Sequence, residues 1–365
     1  MYLKNLKLSD FRSYEYLDLD LKEGINVIKG KNAQGKTNII EAVYYFSTLK
    51  SHRFVLDREL IKEKKEKSVM RVEFFKKRDT SLKIVLNKNK KREIYKNEIK
   101  TDRSEFFGNF YSVLFSPEDI NLIKGEKEER RKFVDTDILQ LRPNYYNILK
   151  KYNSVLINRN KVLKEYNYSH DDSLLMEVYT KNLIKWGSEV TLYRSLYIER
   201  LKETAKKIYK EISNDERELE IKYKTSFEIK DCENKKEILK SFEEELKKKS
   251  DEELLKRSTA IGPHRDDIEF LLDNKNAKIY ASQGQQRTII LALKLSELMF
   301  LKEITNEAPI LLLDDILSEL DKERQEKLFY YIKDYQTILT VTDAQEIKEK
   351  NYNMIEIENS KIINK

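Results

Sequence analysis

Residues 30–37 read Gly30-Lys31-Asn32-Ala33-Gln34-Gly35-Lys36-Thr37, and their flanks decide the fold class. Ile25-Asn26-Val27-Ile28 comes before, a short apolar run suited to a buried strand. Asn38-Ile39-Ile40-Glu41-Ala42-Val43-Tyr44-Tyr45 comes after, with apolar residues at helical spacing. A glycine-rich loop between a strand and a helix is the context a phosphate-binding loop requires. Gly30 and Gly35 let successive backbone amides face a phosphate, and the helix N-terminus adds its partial positive charge. Lys36 can reach the β- and γ-phosphates, and the Thr37 hydroxyl can ligate Mg²⁺. Residues 30–38, from Gly30 through Lys31, Asn32, Ala33, Gln34, Gly35, Lys36 and Thr37 to Asn38, are therefore expected around a nucleoside triphosphate.

The matching half of such a site lies far downstream. Pro309-Ile310-Leu311-Leu312-Leu313-Asp314-Asp315 has the unbroken apolar run of a parallel strand buried on both faces, ending in two carboxylates. Asp314 is expected at the sheet edge where ligands bind in open α/β folds, holding the Mg²⁺ that Thr37 also touches. Asp315 follows as the group that orients or deprotonates the attacking water. Ser282-Gln283-Gly284-Gln285-Gln286-Arg287 opens a helix, with Ser282 as its cap and amides left uncovered beside Gly284, a second anion-binding helix start.

Around these landmarks the first quarter is β-rich, with alternating segments 3–8, 16–21, 69–75 and 82–86 and a turn at 87–90 leading into 93–95. From residue 119 long amphipathic helices are expected at 126–141, 145–166 and 173–212, with a further helix at 235–257. A strand-like interruption lies at 218–223, and strand character returns at 267–272 and 278–280. A helix at 285–304 precedes the strand at 309–315, and a helix at 320–331 and a strand at 337–342 follow. The expected organisation is an α/β head from 1–118 and 262–365 with a mainly helical insertion at 119–261.

Composition narrows the classes further. The 365 residues carry 71 Lys+Arg against 64 Asp+Glu, a net charge of +7 that permits an anionic partner without proving one. One cysteine, Cys232, excludes an intrachain disulfide and a cysteine-based metal cluster. The most apolar helical stretch, 289–301, is broken by Lys294, Ser296 and Glu297, and the first residues lack the apolar core of a secretory signal. A cytoplasmic protein is expected.

Taken together, the 30–37 loop, the 282–287 segment, 311–315 and Ser318-Glu319-Leu320-Asp321 resemble an ABC-type ATPase head. Residues 6–14 (Leu-Lys-Leu-Ser-Asp-Phe-Arg-Ser-Tyr) resemble the opening of its SMC-like branch. More narrowly, residues 32–38, Phe115-Ser116-Pro117-Glu118-Asp119 and Gly262-Pro263-His264-Arg265-Asp266-Asp267 are similar to the bacterial RecF recombination mediators. That resemblance implies an ATP-dependent homodimer in which Ser282, Gly284 and Gln285 contact the γ-phosphate held by the other copy's Lys36. It places Asp321 near the dimer seam and Arg12 near the adenine. It also implies a weak DNA-stimulated ATPase that binds duplex and gapped DNA and works with RecR and RecO to load recombinase. Three departures from the wider ATPase pattern point to slow hydrolysis or a changed metal shell. Asp315 stands where many such heads have Glu, Thr342-Asp343 lacks the switch histidine common in transporters, and 115–119 lacks a glutamine, with Glu118 as its substitute.

Basic clusters occur at 64–67, 76–78, 88–92 and 247–249. The hairpin-tip cluster Lys88, Lys90, Lys91 and Arg92 is best shaped to meet a phosphate backbone. His52 and His170 are expected at the surface, and His264 is left without a role. One alternative is the ATP-hydrolysing subunit of a transporter, against which stand the 245 residues from Thr37 to Ser282. Another is a non-hydrolysing scaffold gated by ATP, against which stands the Asp314–Asp315 pair.

Overall fold

The computed structural model describes residues 1–53, 55–167, 169–213, 216–342 and 352–364. The chain forms two compact units: one from Met1–Ile120 and the chain from Gln283 on, the other mainly from Asn121–Lys210 and the stretch ending at Ser282.

The first unit holds two six-stranded sheets. One is antiparallel throughout, ordered β2-β1-β4-β5-β6-β7. Its strands are β1 (Tyr2–Phe11), β2 (Tyr14–Asp20), β4 (Lys67–Lys76), β5 (Arg78–Asn87), β6 (Glu93–Lys96) and β7 (Ile99–Lys100). Leu6, Leu8, Met70, Val72, Leu82 and Ile84 turn inward while their sequence neighbours stay more exposed, the alternation of a sheet with one buried face.

The second sheet carries the site. Its order is β15-β14-β3-β13-β12-β8, built from β3 (Ile25–Lys29), β8 (Ser112–Phe115), β12 (Ile310–Asp314), β13 (Thr337–Val341), β14 (Tyr352–Glu358) and β15 (Lys361–Asn364). Every pairing is parallel except β14–β15. All five residues of β12 and of β13 are buried, because the strands lie inside a sheet covered on both faces. The helices Lys36–Thr48 and Gln283–Thr305 both pack on β8. Buried Gln336 ties β1 to this sheet's edge: its amide accepts from the Leu3 N–H at 2.6 Å and donates to the Leu3 and Lys22 carbonyls, each at 2.8 Å.

The second unit contains the helices Lys127–Leu141, Tyr145–Glu165, His170–Ile212, Lys235–Lys248 and Ser250–Lys256. It also has a small antiparallel sheet, ordered β11-β10-β9, of β9 (Leu219–Lys224), β10 (Asp267–Leu272) and β11 (Lys275–Asn276). Here the structure departs from the sequence reading in three places. Residues 262–282 belong with this unit, since β10 pairs with β9 and not with the phosphate-loop sheet. Residues 278–280 are not a strand but part of a helical turn, Ala277–Tyr280, started by the Asn276 side chain accepting from the Lys278 N–H. The helix expected over 235–257 breaks at Lys249.

Candidate nucleotide site

Strand β3 delivers the loop to the edge of the parallel sheet, and the loop is shaped from three directions. Gly35 has φ +100°, and a Cβ there would stand 2.9 Å from the Tyr14 hydroxyl and 3.1 Å from Ser13 Oγ and Ser360 Oγ. A Cβ on Gly30 would stand 2.5 Å from the Ile357 carbonyl oxygen. Both glycines are thus required by close approach, and Gly35 also by its left-handed backbone. The Tyr14 hydroxyl donates to the Gly35 carbonyl at 3.2 Å, and Asn38 Nδ2 donates to Ser13 Oγ at 2.9 Å. The turn between β14 and β15 closes the far side: the Ser360 N–H donates to the Gln34 carbonyl at 3.2 Å, and the Asn359 N–H to Gln34 Oε1.

Lys36 folds back across the loop, its ammonium donating to the carbonyls of Gly30 and Lys31. Thr37 and Asp314 meet: Thr37 Oγ1 donates to Asp314 Oδ1 at 3.0 Å. Thr340, on the neighbouring strand β13, donates to the same oxygen at 2.8 Å and accepts the Asp315 N–H at 2.9 Å. Asp314 is 4% exposed. Burial pushes its carboxyl above the ordinary carboxylate range, against the opposing pull of the Thr340 and Thr37 hydrogen bonds and the Arg53 charge. Asp315 is exposed, with φ +52°. A cleft of about 240 Å³ is lined by the loop from Asn32 to Asn38 with Ser13, Arg53, Asp315 and Thr340. Glu118 is exposed and close enough to Asp314 for its charge to raise that carboxyl further.

Two oxygen donors of the hard kind, the Thr37 hydroxyl and the Asp314 carboxylate, therefore share one point beside the loop. That set fits Mg²⁺, which commonly takes one or two protein ligands and completes its shell with phosphate and water.

Other expected residues stand elsewhere. The Arg12 guanidinium forks onto Glu41 at 2.9 and 2.8 Å and reaches the Glu59 carbonyl at 3.1 Å. Its contacts are thus a buried carboxylate and a backbone carbonyl, and it is not among the residues that line the cleft. Burial alone would raise Glu41, but Arg12 and Ser51 outweigh it and hold the carboxyl below its usual range. Gly284 and Gln285 lie in the first turn of the helix Gln283–Thr305, outside the cleft lining. That turn is braced against the 318–321 segment: Arg287 donates to the Glu319 carbonyl at 2.8 Å and pairs with its carboxylate at 2.9 Å. Asp321 caps the helix Lys322–Ile332 and pairs with Arg324, which also donates to Thr288 Oγ1 at 2.9 Å. Ser282 is exposed at the end of the second unit. Asp343 lies outside the described residues.

Of the hairpin cluster, Lys88, Lys90 and Lys91 are exposed, and Lys88 pairs with Glu66 at 3.7 Å. Arg92 is the least exposed of the four, its side chain 14% exposed. It pairs with Asp57 at 3.1 Å and donates to the Tyr45 hydroxyl and the Leu49 carbonyl. His52 is not a surface residue: both ring nitrogens are buried without a hydrogen bond, and burial drops its pKa to about 4. Sequence reasoning missed Ser13, Arg53, Thr340 and the 359–360 turn. They are single polar residues whose importance comes only from where the fold delivers them.

The family model for the RecF/RecN/SMC N-terminal domain matches residues 2–363. The DNA replication and repair protein RecF of Clostridium perfringens strain SM101 is 42% identical over 350 residues, 95% of this chain and 94% of that protein. The chain belongs to the RecF family. RecF of Clostridium botulinum strain 657 is 41% identical over the same share of each chain. Among solved structures, the recombination mediator protein RecF with ATP, of the RecFOR pathway, superposes with a TM-score of 0.91 at 34% identity, covering 99% of this chain and 96% of that one. The Smc head domain of Pyrococcus furiosus, at 14% identity and a TM-score of 0.53, shares the fold. The ABC-type, SMC-like α/β head is thus the architecture of this chain.

Proposed function

We propose that this chain is an ATP-gated DNA-binding protein of recombinational gap repair. One observation carries the reading. The phosphate loop, the Thr37–Asp314 pair and Asp315 converge on one cleft, while the anion-binding helix start at Gly284 and Gln285 stays outside the cleft of its own copy. A second copy would complete the site, with Ser282, Gly284 and Gln285 of each copy facing the γ-phosphate in the other. ATP then joins the two copies because it binds the pair better than either alone. The family's solved member with ATP supports the nucleotide.

Within the cleft, the amides of the 30–38 loop and the Lys36 ammonium take the phosphates, and Thr37 and Asp314 hold Mg²⁺. An ion held there would supply positive charge against the phosphates. Asp315, exposed at the mouth, takes the proton of the attacking water, and its short side chain makes that step slow. Arg53 offers a guanidinium from the cleft wall. Duplex DNA near a single-strand gap binds the ATP-joined pair, Lys90 and Lys91 contribute phosphate contacts, RecR and RecO are the protein partners in recombinase loading, and hydrolysis releases the complex.

Light scattering with Mg²⁺ and ATP, with ADP and without nucleotide, each with and without gapped duplex, tests this. A dimer that forms only with ATP and holds DNA best in that state is expected, and Lys36→Met loses both. A monomer under every condition refutes the gated dimer.

A further inference from the structure

The turn Gly262-Pro263-His264-Arg265-Asp266-Asp267 plays no part in the nucleotide site, yet much of the second unit's polar interior converges on it. Gly262 has φ +126°, and a Cβ there would stand 2.8 Å from the Tyr152 hydroxyl, which itself bonds His264 Nδ1 at 2.6 Å. Asp266, fully buried, accepts from the Tyr223 hydroxyl at 2.5 Å and the Ser226 N–H at 2.8 Å. Arg194, 3% exposed, donates to the Pro263 carbonyl at 2.6 Å and grips Asp135 with two bonds. Asp267 takes a two-pronged pair from Arg130 at 2.7 and 3.0 Å. The turn is anchored from three helices and held in one geometry.

Three cations stand on this anchored turn, and their hydrogen bonds go to carbonyls. Lys127 Nζ donates to the Arg265 carbonyl at 3.3 Å, Arg131 to the Asp266 carbonyl at 2.7 Å, and Arg265 to the Thr259 carbonyl at 3.1 Å. A carbonyl orients a cation and leaves its full charge in place. Their neighbours Arg130 and Lys132 pair with Asp267 and Glu128, whereas Lys127, Arg131 and Arg265 have no acid in ion-pair contact among the described residues. Lys127 and Arg265 are exposed and Arg131 half-buried. Burial and the nearby Arg194 charge both disfavour the charged Arg131, only partly opposed by Asp266, Glu128 and Asp135. Lys127 also opens the helix Lys127–Leu141, where the helix dipole disfavours positive charge. Cations oriented by carbonyls and only partly offset by acids are costly in the free protein, and a phosphate offsets that cost.

We propose that Lys127, Arg131 and Arg265 form a cradle for one backbone phosphate of the DNA duplex. The cradle deepens the function proposed above and rests on it. It reads no base, since all three groups are phosphate donors anchored on backbone carbonyls, and so it contributes affinity and position without sequence preference.

The test is the double variant Lys127→Gln/Arg265→Gln, which keeps a hydrogen-bond donor for each carbonyl and removes two charges. Its control is Lys247→Gln/Lys248→Gln, the same charge loss on the helix Lys235–Lys248. Binding of a labelled duplex is followed by fluorescence anisotropy in Mg²⁺ and ATP across a salt series, with ATP affinity checked first to show that each variant is folded. Losing contact with a phosphate lowers the log–log salt slope by about 0.9 per phosphate neutralised, so a decrease of about 0.9 is expected for the one phosphate. The wild-type advantage over the variant then shrinks about 3.5-fold between roughly 50 and 200 mM salt, while the control keeps the wild-type slope. An unchanged slope in the double variant, or an equal fall in the control, overturns the cradle and leaves the proposed function standing. Wild-type protein that binds no duplex in any nucleotide state overturns the proposed function itself. A thermal upshift in inorganic phosphate that the double variant loses, with DNA slopes unchanged, assigns the cradle to free phosphate and overturns the nucleic-acid source.

Discussion

Thr340→Val tests the strand-to-strand bracing of the metal-side carboxylates. The substitution preserves volume at a side chain 1% exposed and removes one hydroxyl. That hydroxyl donates to the buried Asp314 carboxylate at 2.8 Å and receives the Asp315 N–H at 2.9 Å. A hydrogen bond to a charged group contributes about 1.5–3 kcal/mol, and an orphaned N–H costs about 1–3 kcal/mol. Relaxation absorbs part of the sum, which leaves a loss of about 3 kcal/mol. For a unit of this size, that lowers the melting temperature by about 6–12 °C. Asp315 loses the bond that holds its left-handed backbone, so ATP turnover falls at least about tenfold, equivalent to 1.4 kcal/mol of barrier. Thr340→Ser restores turnover because it returns the hydroxyl. Calorimetry and a phosphate-release assay on the three proteins decide the matter. A Thr340→Val protein that melts with wild type and turns over ATP normally refutes the bracing role.

Asp314→Asn separates stability from chemistry. Because burial raises this carboxyl, its charged form is disfavoured in the nucleotide-free fold at neutral pH. The amide therefore raises the unfolding midpoint at neutral pH. The gain fades as pH falls toward the ordinary carboxylate value, while Mg²⁺-dependent turnover is lost; urea melts and turnover measured in parallel check both. His52 and His264 both drop to about 4 through burial. Their folded values lie below the unfolded one, so the stability they preserve is full above about pH 6.5 and declines as pH falls toward 4, by about 2 kcal/mol each at pH 5. Asp119, lifted to about 6 by burial, runs the opposite way and offsets about 1.4 kcal/mol at that pH. Urea melts between neutral and mildly acidic pH should show a net loss, and His52→Gln should flatten it. Finally, Arg92→Gln lowers the melting temperature with DNA affinity intact, whereas Lys90→Gln/Lys91→Gln weakens DNA binding at an unchanged melting temperature. The reverse pattern would return Arg92 to the DNA surface.

Elements whose burial is symmetric or strictly periodic were legible in the residues. Ile310–Asp314 is buried on both faces and reads as an unbroken apolar run; the helix Lys36–Thr48 follows directly from its loop. Tyr352–Glu358 was missed because it buries only Ile355 and Ile357 and alternates them with Asn and Glu, a weak pattern without its neighbour β3. Residues 278–280 look strand-like, but Ile279 and Tyr280 are 72% and 64% exposed, so no packing rewarded that reading. In the site, the loop and the two aspartates announce themselves through local chemistry. Thr340, Ser13 and Ser360 do not, because a lone hydroxyl has meaning only at the place where tertiary structure sets it. The acid partner of Arg92 was illegible for the same reason: Asp57 belongs to a different segment of the chain.

The position of β3 governs when this protein can first hold nucleotide during its own synthesis. Its two sheet neighbours, β13 and β14, emerge from the ribosome some 300 residues later. The antiparallel sheet, by contrast, draws all its strands from the first hundred residues and can form early. A nascent chain carrying the complete phosphate-loop sequence therefore has no strand on either side of β3 to support that loop. Support for the loop arrives late, only once both flanking strands have been made.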